Sequence, residues 1–292
     1  MPTASGLVIV DKPPGLTSHD VVARIRRIAG TRKVGHAGTL DPMATGVLVV
    51  GVEKATKILG YLTLTEKEYQ ATIRLGQSTS TDDAEGEIVS TAPRQVEPVE
   101  IHAAIKPLTG AIQQVPPQVS AIKVNGQRAY KLTRAGAAPE LAARTVTVHS
   151  FAVSDIRMVD GFTDVDATIR CSSGTYIRSL ARDLGASLGT GGHLTALRRT
   201  RVGPYSVSQA RSLEFLAEQY VVLPLEDAAA QAFQRRDLTE PEAKVLAHGG
   251  RLAPSSPPFD ASTPVAAFAP DGTLVALVEE NPAHARPVVV FA

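Results

Sequence analysis

The 292-residue chain has no tryptophan, one cysteine (Cys171) and an aromatic content of only 4%. A lone thiol forms no internal disulfide and cannot build a thiolate zinc cage, which fits a reducing cytoplasm. The seven histidines never fall four residues apart as a helical metal pair would, so neither a structural nor a catalytic metal is expected. No stretch approaches the roughly 18 to 20 uninterrupted apolar residues of a membrane span. The opening MPTASGLVIVDKPPG has neither the basic start nor the long apolar segment of an export signal. These absences predict a soluble cytoplasmic protein. No G-x-S-x-G, Walker A or dinucleotide fingerprint is present, so the common hydrolase, nucleotidase and dehydrogenase readings lose their usual support.

Hydrophobic residues are plentiful at 43%, enough for a core in each of the two domains that this length suggests at roughly 150 residues apiece. Neither sign of charge is in excess, with 30 Lys+Arg against 29 Asp+Glu, yet the signs are segregated along the chain. Residues 1–60 carry eight bases and four acids, residues 61–110 the reverse. Residues 120–135 hold Lys123, Arg128, Lys131 and Arg134 with no acid, and residues 170–201 hold six arginines against Asp183 alone. Basic segments this far apart in sequence either fold into one surface for a polyanion or remain separate solvated faces.

The run Leu7–Val10, stopped by Asp-Lys-Pro-Pro-Gly, reads as a buried strand and turn. A helix follows, with Thr17 or Ser18 as its cap, Val21, Val22, Ile25 and Ile28 at helical spacing, and Gly30 at its end. Lys33–Asp41 reads as a loop, Val47–Val52 as a strand and Ala55–Leu62 as a short helix. Tyr69, Ala71, Ile73 and Leu75 alternate as in a half-buried strand. The acidic Gln77–Glu87 lacks the spacing of an EF-hand and reads as a solvated loop. Pro98–Leu108 is helical, Asn125-Gly126 signals a hairpin, Thr145–Val153 and Thr163–Cys171 are long strands, and Tyr176–Leu188 is a helix. A domain boundary is expected near Ala228. After it come a short helix at Glu240–Ala247 and strands at Val265–Phe268, Leu274–Val278 and Val288–Phe291.

Two clusters stand out chemically. In Gly35-His36-Ala37-Gly38-Thr39-Leu40-Asp41-Pro42-Met43-Ala44-Thr45-Gly46, glycines and Pro42 present the Asp41 carboxylate on a rigid loop. That carboxylate is suited to act as nucleophile, general base or metal ligand, or only to bond its own turn. In Cys171 to Asp183, a strand gives way to a helix whose N-terminal end carries Tyr176 and Arg178. An arginine there pairs with a carboxylate or a phosphate.

Gly6–Gly46 closely resembles the start of the bacterial tRNA pseudouridine synthase B family, with GTLDPxATG as its most specific run. Lys67-Glu68-Tyr69, Gln114–Lys123, Gly126–Tyr130 and Ser173–Gly185 extend the resemblance over roughly the first 200 residues. It implies an α+β fold: a pseudouridine synthase catalytic domain over 1–227, with a mixed, largely antiparallel sheet flanked by helices, and a small PUA-like RNA-binding β-barrel over 228–292. It implies isomerisation of uridine 55 in the tRNA T-loop, by base flipping, with no cofactor and no metal. Asp41 then resembles the catalytic carboxylate, Arg178 its ion-pair partner and Tyr69 the ring that stacks on the target base. Tyr176 and Leu197 resemble the pocket wall, and His36 the residue that fills the place of the flipped uridine. Lys123, Arg128 and Lys131, with the basic stretch 198–201, would hold T-arm phosphates. The implied partner is tRNA alone, bound by a monomer that needs no second protein. Two rivals are weaker: a non-catalytic RNA-binding module gives no reason for Asp41 and Arg178 in one pocket, and a deaminase needs zinc ligands that the chain lacks.

Overall fold

The computed structural model describes residues 4–119, 141–259 and 263–291, and the backbone of 123–124 and 127–128. Strand β1 (Gly6–Lys12) enters the sheet, and Thr17 then caps helix α1 (Ser18–Ala29) in a reciprocal capping box with Asp20. Gly30 ends the helix in the left-handed conformation, and Val21, Val22 and Ile25 face the core. The chain returns along β2 (Val34–Ala37) and, after the Asp41 loop, β3 (Thr45–Val52). Part of the segment expected to be a loop is therefore strand: β2 pairs with β3 from Val34↔Val52 to Ala37↔Val49.

A 3-10 turn (Glu53–Ile58) and α2 (Leu59–Thr63) lead into β4 (Lys67–Leu75), whose Tyr69, Ala71, Ile73 and Leu75 are all buried, as their alternation predicts. Next come the hairpin β5 (Gln77–Thr79) and β6 (Ile88–Thr91), α3 (Pro98–Ile105) and β7 (Gly110–Gln114). Short strands β8 (Lys123–Val124) and β9 (Gln127–Arg128) pair antiparallel on either side of the Asn-Gly signal. Long strands β10 (Arg144–Val159) and β11 (Phe162–Cys171), helix α4 (Ile177–Ser187) and strand β12 (Gly192–Val202) complete the centre.

β12 is the structural axis. It pairs in parallel with β3 and antiparallel with β4, joining the two halves of a ten-stranded mixed sheet. With β13 (Tyr205–Ser206) beside β12, β14 (Leu223–Pro224) at the edge, and α1, α3, α4 and α5 (Leu213–Glu218) contributing to one apolar cluster, this part of the chain is α+β.

The tail forms α6 (Leu225–Ala232), β15 (Gln234–Asp237), α7 (Glu240–Ala247), β16 (Val265–Phe268), β17 (Leu274–Glu280) and β18 (Ala285–Val290). Its strands make a four-stranded sheet in sequence order. Among the described residues its outer strands β15 and β18 do not pair, so the sheet is open where a closed barrel was expected. Ala228 lies within α6 and is fully buried. One apolar cluster runs from Leu7, Val49 and Ile58 through Ala228 to Phe268 and Leu277, joining the tail to the back of the central sheet.

Candidate active site

The loop between β2 and β3 carries Asp41, and buried cations fix its backbone. Lys12, with no exposed surface, donates from Nζ to the carbonyls of Pro13 (2.9 Å), Leu16 (2.6 Å) and Pro42 (3.1 Å). Arg199, 1% exposed, donates to Val47 O (2.8 Å), Gly38 O (3.0 Å) and Thr39 O (3.3 Å). The Ser18 hydroxyl accepts from Leu40 N at 2.9 Å. Gly46 stands at φ +96°, and a Cβ there would lie 2.2 Å from Arg199 O, so only glycine lets β3 pass this close to β12. Gly46 of the motif thus answers to a specific backbone approach.

Arg178, at the start of α4, meets the loop. Its Nε lies 2.9 Å from Asp41 Oδ2, and a terminal nitrogen donates to Asp41 Oδ1 at 3.1 Å. The Nε contact is an ion pair whose angle falls short of a hydrogen bond. Further donations to Thr81 O and Val119 O, both 3.0 Å, leave this buried guanidinium little freedom. Gln114 anchors the helix start, accepting from Tyr176 N at 2.8 Å and donating to Tyr176 O at 3.1 Å.

A cavity of about 240 Å³ opens in front of this pair. Asp41, Tyr69, Tyr176, Arg178 and Leu197 all line it, so the structure brings five of the expected site residues together. Burial raises the pKa of the Tyr69 phenol, against the opposing pull of the Arg199 guanidinium. His36 is not in the wall. It sits on β2, two residues before Gly38 of the lining, with its ring edge-on to His19 at 5.6 Å. Burial lowers its pKa, with the charges of His19 and Arg199 adding to the effect. Lys131 lies outside the described residues, and Lys123 and Arg128 are placed by backbone alone.

Three residues not expected in the site belong to it. Lys67 lines the cavity, donates to Thr63 O and Thr65 O at 2.7 Å, and is pushed down to about 8 by burial, with the nearby Arg199 charge adding to the effect. Arg199 also lines the cavity, which corrects its assignment to an outer phosphate-binding stretch. Its neighbour Arg198 is paired with Asp11 at 2.7 Å. The alternation of a strand carries the signal for both: Lys67 is two residues from Tyr69, and Arg199 two from Leu197. The third is Asp83. The acidic run that read as a solvated loop puts Asp83 at 3% exposure, its Oδ2 3.6 Å from Arg178 Nε, while Asp82 pairs with Arg182 at 3.1 Å. Composition alone could not separate the buried Asp83 from its exposed neighbours. Among the described residues, no group of three or more potential ligands is placed to hold a metal.

The chain matches three family models in succession: the TruB family pseudouridylate synthase N-terminal domain at 26–177, the tRNA pseudouridylate synthase B C-terminal domain at 178–235, and the tRNA pseudouridine synthase II C-terminal model at 233–292. It is 63% identical over 294 residues to tRNA pseudouridine synthase B of Thermobifida fusca, covering 99% of each chain. It is 59% identical to the protein of the same name from an Arthrobacter species, covering 99% of this chain and 97% of that one. Among solved structures it is similar to a chain of a Cbf5-Nop10-Gar1 complex, with a TM-score of 0.76, 28% identity and coverage of 100% of this chain and 85% of that one. A chain of an H/ACA RNP bound to a substrate RNA containing 2'-deoxyuridine gives 0.75 and 27%, over 98% and 85% of the two chains.

Proposed function

The chain belongs to the TruB family of pseudouridylate synthases, and on that footing we propose that it converts uridine 55, in the T-loop of tRNA, to pseudouridine. The reaction breaks the bond from uracil N1 to C1′, turns the base and rejoins it through C5, releasing the C5 proton to solvent while N1 takes one up. It involves no net redox change and calls for a positioned carboxylate. The observation that carries the reading is Asp41, gripped at both oxygens by Arg178 at the mouth of a small cavity whose wall includes an aromatic ring. At about 240 Å³ the cavity is below the range of roughly 300 to 1,000 Å³ typical of drug-sized ligands and suits a single flipped base.

In this reading Asp41 starts the reaction, and attack at C6, attack at C1′ and removal of the C2′ proton all begin from the same carboxylate. Tyr69 stacks on the uracil. Its phenol, made less acidic by burial, would accept the C5 proton only with help from the Arg199 charge. Tyr176 and Leu197 wall the base, and His36 enters the space it vacates. Lys123, Arg128 and Lys131 hold T-arm phosphates, and the PUA-like part from residue 228 onward adds RNA contacts. The protein works as a cytoplasmic monomer on tRNA alone, without a cofactor.

Incubation with a tRNA transcript tritiated at uridine C5 tests the reading. One equivalent of tritium should be released per tRNA. Binding without release would leave an RNA-binding module, and conversion of a cytosine or adenine without release would indicate deamination.

A further inference from the structure

Helix α1 carries arginines that the site does not use. His19, in its first turn, packs on His36 beside the Asp41 loop, and the helix then runs about 18 Å away from that end. At the far end Arg26, Arg27 and Arg32 are exposed and Arg24 is half-buried. Arg26, Arg27, Gly30, Thr31 and Arg32 line a concavity of about 640 Å³. Arg27 also lines a second one, of about 370 Å³, together with Arg24 and Glu214. The two share a wall and form one groove. Among the described residues no carboxylate lies within ion-pairing distance of any of these four arginines, the nearby Glu53 being taken by Lys33 at 3.7 Å.

Ordinary structural reasons explain only part of this. A helix C-terminus favours cations in its last turn, which covers Arg26 and Arg27, and Arg24, further back, is attracted by Asp20 one turn earlier and by Glu214, which leaves Arg32, beyond the cap, unaccounted for. The Arg26 carbonyl is already satisfied by the N–H groups of Gly30 and Thr31. Among the described residues, Arg26 alone of the four side chains donates to protein, to Val34 O at 3.2 Å. Clustered like charges cost stability, and a polyanion seated in the groove would remove that cost. Planar guanidiniums around a concavity suit the bidentate binding of phosphate oxygens.

We propose that the arginine groove at the C-terminal end of α1 is a further RNA contact, binding backbone phosphates of tRNA away from the flipped nucleotide. The inference rests on the tRNA reading above. The test is the variant Arg27→Gln/Arg32→Gln in the full chain, because neither side chain bonds to protein among the described residues. Affinity for full-length unmodified tRNA is measured between about 50 and 200 mM salt. The slope of log affinity against log salt should become shallower by about 0.7 to 0.9 for each lost contact, with binding weaker by about tenfold at the low-salt end. Arg27→Lys/Arg32→Lys should restore most of both, and pseudouridine formation at saturating tRNA should match wild type. Unchanged affinity and slope would overturn the groove as a contact. The two readings fail separately: wild-type protein that makes no pseudouridine but shows the arginine-dependent slope would sink the reaction and keep the groove.

Discussion

Arg178 is where one substitution separates charge from geometry. Arg178→Lys keeps the cation but loses the fork that spans both Asp41 oxygens. The single-turnover rate should fall by about a hundredfold or more, with tRNA affinity within about threefold. Equal losses in both would move Arg178 to a binding role. Lys67 gives a pH signature. With its pKa near 8, the cavity keeps this positive charge below that pH and loses it above. The rate should therefore fall as pH rises through about 8, and Lys67→Arg should move that limb upward while leaving Lys12, pushed to about 8 mainly by burial, untouched. An unmoved limb would remove Lys67 from the chemistry. For stability the sign is opposite. A lysine whose folded pKa is depressed from 10.5 penalises the fold while charged, so both lysines contribute a gain as pH rises from about 8 to 10.5. Asp41, Tyr69 and Arg178 were legible because each sits in a distinctive short run. Lys67 and Arg199 share the faces of Tyr69 and Leu197 by strand alternation, but a charged residue reads as solvent-facing until the carbonyls and charges that surround it are known, and Asp83 carries no such mark.

At the scale of elements, α1, β4 and α4 followed from caps and periodicity, whereas β12 escaped. Its inward positions include Arg199, and pairing irregularities at Leu194/Ala196 and Arg199/Arg201 break the alternation that would betray a strand. β2 escaped because Gly35 and His36 carry little strand preference. The contact between β3 and β12 offers a sharp test. Gly46→Ala would push a Cβ against the Arg199 carbonyl at 2.2 Å, a backbone atom that cannot swing away, and at a φ of +96° that alanine resists. We expect a melting temperature lower by about 5 °C or more and a rate loss larger than the fraction unfolded explains. A variant with normal melting and normal rate would show that the loop does not depend on this approach.

For the molecule as a whole, sequence suggested two separable units, and the expected junction near Ala228 meets a continuous apolar cluster. Deleting residues 228–292 would uncover Leu7, Val49 and Ile58, so the remainder should melt at lower temperature and bind more of a hydrophobic dye than the full chain. An unchanged melting temperature would show that the central sheet stands alone. The α+β class came with the family resemblance rather than from the pattern of elements, and the order of the ten strands was not legible, because it depends on where β12 inserts. The central claim is that Asp41 converts one uridine of tRNA, at position 55. The most direct test maps pseudouridine by carbodiimide modification and reverse transcription on an unmodified tRNA transcript treated with wild type or Asp41→Asn. Wild type should give a single new stop at position 55, and Asp41→Asn less than about a thousandth of that rate with comparable binding. A stop elsewhere, or an equal stop from Asp41→Asn, would contradict it.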